Sequence, residues 1–124
     1  MQRGLNGYQP LQIVSLILLG ILLSRTKQSM SKEKNIYEVE RLEKLLRASG
    51  FNSDEIKLIV AQAAFETGNF TSKIFKVNNN YFGMREPKVR ETTAAGTRFA
   101  HAFYSSLADC VKDFRLYWDY FKYP

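Results

Sequence analysis

Apolar positions recur along this chain in three rhythms, and each predicts a different element. Residues 11–23 (LQIVSLILLGILL) are almost unbroken aliphatic sequence, interrupted only by Gln12 and Ser15 on the polar side. A core helix would show a polar face, so the run reads as a hydrophobic helix used as a membrane anchor or export signal. No small-residue cleavage site follows it, because Ser24 leads straight into Arg25, Thr26 and Lys27, and an uncleaved anchor is expected. Basic residues lie mostly after the run, an arrangement that would leave the remainder of the chain on the cytoplasmic side. Residues 24–34 are polar and without period, a linker.

The second rhythm is helical. Ile36, Val39, Leu42, Leu45 and Leu46 recur every three or four residues, with Asn35 and Glu38 spaced as a capping box and Gly50 as the stop. Glu38, Glu40, Arg41, Glu43, Lys44 and Arg47 would form its solvated face. A second helix is predicted from an N-cap at Ser53 to about Thr67, with Asp54 and Glu55 in its first turn and Gly68 as its terminator. Ile56, Ile59, Val60, Ala63 and Ala64 gather on one side and Leu58 and Phe65 on the other, which predicts a central helix buried on two faces. A last helix starts at Ser105 and Ser106, its stripe formed by Leu107, Val111, Phe114, Trp118 and Phe121. Tyr117 and Tyr120 fall off that stripe, free to reach a cleft.

The third rhythm is short alternation. Phe99 to Tyr104 reads as a strand, and residues 85–98 as a loop or hairpin turning near Gly96. His101 shares a strand face with Phe99 and Phe103 and is read as packing.

Composition narrows the function. A chain of 124 residues holds one core, and 45% hydrophobic with 14% aromatic residues is typical of a folded domain. The domains are therefore residues 1–31, an anchor or signal segment with its linker, and 32–124, a single globular domain. Lys and Arg outnumber Asp and Glu by 18 to 12, a net charge of +6 that favours anionic partners. The basic residues are scattered and no recognition motif is present, so nucleic acid is not expected. One Cys and one His make an intrachain disulfide impossible and a conventional zinc site improbable; no metal or cofactor is expected.

The chemistry concentrates in residues 59–85. Glu66 stands at the end of an apolar, alanine-rich helix, one turn after Gln62. A glutamate at a helix end more often turns to water or pairs with a lysine. Here, however, an apolar flank and the negative end of the helix dipole would both favour its protonated, proton-donating form. Asn78, Asn79 and Asn80 then run into Tyr81, Phe82 and Gly83, setting amides beside aromatic faces. Such residues can equally form a simple turn, but together they offer what a sugar ring needs for its hydroxyls and its CH face.

Two blocks carry a resemblance. Ala61-x-Ala-Ala-x-Glu66-Thr-Gly-x-x-Thr-Ser72 and Asn79-Asn80-Tyr81-Phe82-Gly83-Met84-Arg85, at their spacing, resemble the endo-β-N-acetylglucosaminidase domain of glycoside hydrolase family 73, from about Asp54 to Phe121. The resemblance implies a mainly α (α+β), lysozyme-like domain with a minimal β-lobe, preceded here by the hydrophobic helix. It implies a bacterial or phage-borne, monomeric peptidoglycan hydrolase cleaving the β-1,4 bond after N-acetylglucosamine, with Glu66 as general acid. Asn79, Asn80, Tyr81 and Phe82 would bind the glycan strand, and Glu86 or Glu91 would be the second carboxylate. The location implied is the cell envelope, by anchor or export, or a virion if the chain is phage-encoded. Two other readings stand beside it: a lysozyme-like domain that binds glycan or an assembly partner without cutting it, and a lytic transglycosylase, whose Gly-Leu-Met-Gln continuation is absent.

Overall fold

The computed structural model describes residue 33 and residues 35–122. The predicted hydrophobic helix at 11–23 lies outside the described residues. The chain divides into two compact units, Met1–Ile36 and Tyr37–Pro124. The second is mainly helical with one small two-stranded sheet, consistent with a mainly α, lysozyme-like fold.

Helix α1 covers residues 35–48. Asn35 is already helical where a cap was expected, and Glu38 is buried against Arg41 (2.7 Å) where a solvated charge was expected. Its end matches the prediction: Gly50 takes φ +86°, Gly50 N–H donates to Arg47 O and Phe51 N–H to Leu46 O. That paired closure ends the helix and delivers Phe51 into the core beside Leu46.

Helix α2 is Ser53–Glu66. Its N-cap is Asn52, one residue before the predicted Ser53: Asn52 Oδ1 accepts from Glu55 N at 2.8 Å while Glu55 Oε1 accepts from Asn52 N at 2.9 Å. Asparagine outcompetes serine because Glu55 stands at the third helical position from it and closes the reciprocal pair. Ile56, Ile59 and Ala63 are buried, but Leu58 is 66% and Phe65 85% exposed. The helix therefore packs through one face, and the expectation of two buried faces is corrected.

Helix α3, Lys73–Asn78, is capped by Ser72 Oγ accepting from Phe75 N. Strands β1 (Gly96–Arg98) and β2 (His101–Phe103) pair antiparallel with Thr97 opposite Ala102. The turn lies at Phe99 and Ala100, both left-handed (φ +53° and +60°), and not near Gly96, which opens β1. Helix α4, Leu107–Lys122, begins where Ser106 Oγ accepts from Asp109 N, as its sequence predicts. Val111 and Phe114 are buried and Trp118 packs edge-on against Phe51 (5.4 Å), whereas Phe121, expected on the stripe, is exposed. One core joins Leu42 and Leu46 of α1, Ile59 of α2, Phe75 of α3, Ala102 of β2 and Phe114 of α4.

Candidate active site

Glu66 is the last residue of α2, and the backbone beyond it is sharply constrained. Gly68, Asn69 and Phe70 are consecutively left-handed, with φ of +56°, +57° and +64°. For the two non-glycine residues this conformation costs on the order of a kcal/mol each, so it persists only where other contacts hold it. Thr67 supplies them. Its hydroxyl donates to Ala63 O (2.7 Å) and accepts from Phe70 N (2.8 Å), and its carbonyl accepts from Thr71 N and Ser72 N. Phe70 is thereby driven into the core against Phe75 and Tyr81, which fixes the end of α2 from below.

The second block meets the first at Gly83. A β-carbon built on Gly83 would stand 3.5 Å from Glu66 Oε2, so the carboxylate lies directly over this glycine, whose φ is +64°. Asn80 makes the turn: Oδ1 accepts from Phe82 N (3.1 Å) and Met84 N (3.2 Å), and Nδ2 donates to Met84 O and Ala102 O. Asn79, left-handed at the end of α3, donates from Nδ2 to Tyr104 O, and Asn78 Nδ2 reaches Arg98 O at 2.7 Å. The amides expected to bind sugar hydroxyls thus tie the loop to the hairpin and to the chain just after it.

Tyr81 shows no exposed surface and Phe82 is buried. Tyr81 packs against Phe75 with centroids 5.0 Å apart, and among the described residues its hydroxyl finds no hydrogen-bond partner. Burial pushes that hydroxyl up to about 12, against the pull of the Arg41 guanidinium. An interior ring cannot offer a face to a sugar, so Tyr81 belongs to the support of the site. Phe82 reaches the floor of a groove while stacking on Phe114 (4.1 Å, 24°).

That groove has a volume of about 410 Å³ and runs between the end of α2, the loop after Gly83 and the outer face of α4. Gln62 and Met84 line it, and these are the neighbours of Glu66 on its helix and of Gly83 in its loop. Glu66 itself is exposed, so the apolar enclosure expected around it is not present. Glu86 lines the same groove and accepts from Thr97 Oγ1 at 3.3 Å, whereas Glu91 lines a separate depression with Leu116 and Asp119. Tyr117 and Tyr120 form the opposite wall, as their position off the stripe allowed.

A buried network that no local pattern signals holds the groove's loop. Asp113 is buried on α4 and accepts from Arg90 (2.6 Å), Thr92 (2.7 Å) and Tyr104 (2.5 Å). Burial alone would raise the Asp113 carboxyl, but these hydrogen bonds and the Arg90 charge outweigh it and hold the group below the usual carboxylate range. Burial and the bond to Asp113 push the Tyr104 hydroxyl up, and burial does the same to the Cys110 thiol. Among the described residues no group of His, Cys, Asp and Glu could hold a metal ion.

Compared with models of known protein families, residues 39–122 match the glucosaminidase family, described as mannosyl-glycoprotein endo-beta-N-acetylglucosaminidase. No curated protein and no solved structure matched the chain.

Proposed function

This chain belongs to the glucosaminidase family, a family of peptidoglycan-type glycoside hydrolases, and from that premise we propose that it cleaves the β-1,4 bond after N-acetylglucosamine in peptidoglycan. Glu66 acts as general acid, protonating the leaving oxygen as the oxocarbenium-like transition state forms. The observation that carries this reading is the seat of its carboxylate: Oε2 lies over Gly83, where no side chain intervenes, and although Glu66 does not itself line the groove, Gln62 one turn before it and Met84 next to Gly83 do. A glycan strand laid in the groove past Gln62 and Met84 would bring a glycosidic oxygen toward Glu66. Of the two further carboxylates, Glu86 is preferred because it faces the same groove. Its hydrogen bond from Thr97 would orient it toward a water or the developing positive charge.

We place the reaction at the cell envelope, with the apolar run at 11–23 holding the domain to the membrane. Among the described residues no helix is long and apolar enough to cross a membrane, so this assignment concerns that run alone. Full-length protein is expected in the membrane fraction at physiological salt, and recovery wholly in the soluble fraction would refute the anchor.

The catalytic reading is tested on purified cell wall by release of reducing ends, with melting curves recorded in parallel. The wild type is expected to cleave, and Glu66→Gln to lose cleavage while keeping its fold. Wild-type rates in Glu66→Gln would sink the general-acid role. A folded wild type that binds wall without cutting it would move the protein to a glycan-binding function.

A further inference from the structure

We propose that Tyr117 and Tyr120 of α4 form the platform on which a pyranose ring of the glycan stacks, a subsite that rests on the reading of the groove as a glycan site. The two residues are three apart on one helix and so share a face. Tyr117 is 41% and Tyr120 45% exposed, and both line the groove that Gln62 and Met84 enter from the Glu66 side.

Behind Tyr117 the aromatic packing is continuous with the core, and the exposed ring of Phe121 flanks both tyrosines. Phe82 stacks on Phe114, Phe114 lies 6.0 Å from Tyr117, and Phe121 lies 4.8 Å from Tyr117 and 5.1 Å from Tyr120. The Arg90 guanidinium lies 5.8 Å from the Tyr117 centroid and is itself fixed by buried Asp113. A ring backed as Tyr117 is loses little freedom when a ligand settles on it.

Clustered exposed aromatic surface marks a binding site more often than chance, and these rings suit a particular ligand. A β-linked amino sugar presents a CH-rich face with polar groups around its edge. A tyrosine offers a flat apolar face with a hydroxyl at its rim, and Arg85, Glu86 and Lys88 supply polar groups along the same groove. The aliphatic run at 11–23 would have no use for that polar edge, which argues against it as the occupant.

The test uses the full chain carrying Glu66→Gln, so that ligand survives, titrated calorimetrically with a β-1,4-linked N-acetylglucosamine tetramer. Tyr117→Ala and Tyr120→Ala are each expected to weaken binding about two- to tenfold. Tyr117→Phe, which keeps the ring face, is expected to restore it, with melting curves unchanged throughout. Unaltered affinity in both alanine variants overturns the platform, as does absence of binding by the parent. An equal loss in Tyr117→Phe also overturns it, since the hydroxyl and not the ring would then be responsible. Changed membrane fractionation with unchanged tetramer affinity assigns the face to the chain's own apolar run instead. A wild type that binds tetramer but cleaves no wall leaves the platform standing and removes the hydrolase; normal cleavage with unaltered binding in the variants does the reverse.

Discussion

Glu66 Oε2 sits 3.5 Å from the point where Gly83 would carry a β-carbon, and this one approach joins two sequence blocks separated by α3. Gly83 also needs φ +64°, a conformation that costs an L-residue about 1–2 kcal/mol. Gly50 needs φ +86° but has nothing within 4 Å of its β-position. Gly50→Ala and Gly83→Ala are therefore expected to lose similar stability, about 1–2 kcal/mol by denaturant titration. Only Gly83→Ala should also lower wall cleavage, because its methyl would sit in van der Waals contact with the carboxylate and cover the side of it that the glycine leaves open. Equal activity in the two variants would show that the approach does not matter to the reaction.

Tyr81 yields a stability prediction opposite to the one its sequence context invites. As a ring in the cleft it would tolerate truncation; as a fully buried ring it will not, and Tyr81→Ala is expected to cost about 3–5 kcal/mol. Tyr81→Phe removes only a buried hydroxyl that makes no well-formed hydrogen bond, beside the Arg41 guanidinium, and should fall within about 1 kcal/mol of wild type. The pH dependence follows in sign. An unfolded tyrosine ionises near 10 and the folded one near 12, so the folded chain retains the proton longer and stability drops as pH rises above about 10. Tyr81→Phe should show a shallower alkaline decline in thermal melts, and parallel declines would contradict the burial of this hydroxyl.

Phe65 and Leu58 make the complementary case on the outer face of α2. Phe65→Ser is expected to change stability by no more than about 0.5 kcal/mol, since the ring is 85% exposed. A loss of several kcal/mol on chemical denaturation would mean that this face is covered in solution.

These residues explain what the sequence makes legible. Gly50 and Ser106 act within one turn of their own helices, so cap chemistry places those ends correctly. Glu66 and Gly83 stand out because a lone carboxylate and a glycine break otherwise apolar or polar runs. Burial of aromatic rings is different. Tyr81 and Tyr117 look alike as residues, and only the packing of α3 and α4 sends one inside and leaves the other on the groove wall. Periodicity likewise reports that Phe65 shares a helix face with Leu58, not that anything lies against it. The three asparagines offer amides to whatever is near, and what is near is the hairpin backbone, more than 20 residues on in sequence for Asn80 and Ala102. Arg90 and Asp113 are 23 residues apart and belong to no shared local pattern, so their pairing appears only in the fold.

That pairing supports the last prediction. Asp113 has no exposed side-chain surface and Arg90 only 6%, so Asp113→Asn would leave a buried guanidinium without its counter-charge. Removing one partner of such a pair costs about 3–5 kcal/mol, a large share of the stability of a small domain. The acid response has a definite sign. An unfolded aspartate titrates near 3.9, while Arg90, Tyr104 and Thr92 hold the folded carboxyl lower despite its burial. The folded chain therefore binds fewer protons, the stabilisation is complete above about pH 4, and it drains away as pH falls through the folded value. Wild-type melting temperature should fall steeply below about pH 4. Asp113→Asn should start lower at pH 7 and follow a flatter acid limb, because the group that titrates is gone. Acid limbs of equal slope in the two proteins would show that some other carboxylate, not Asp113, governs the response.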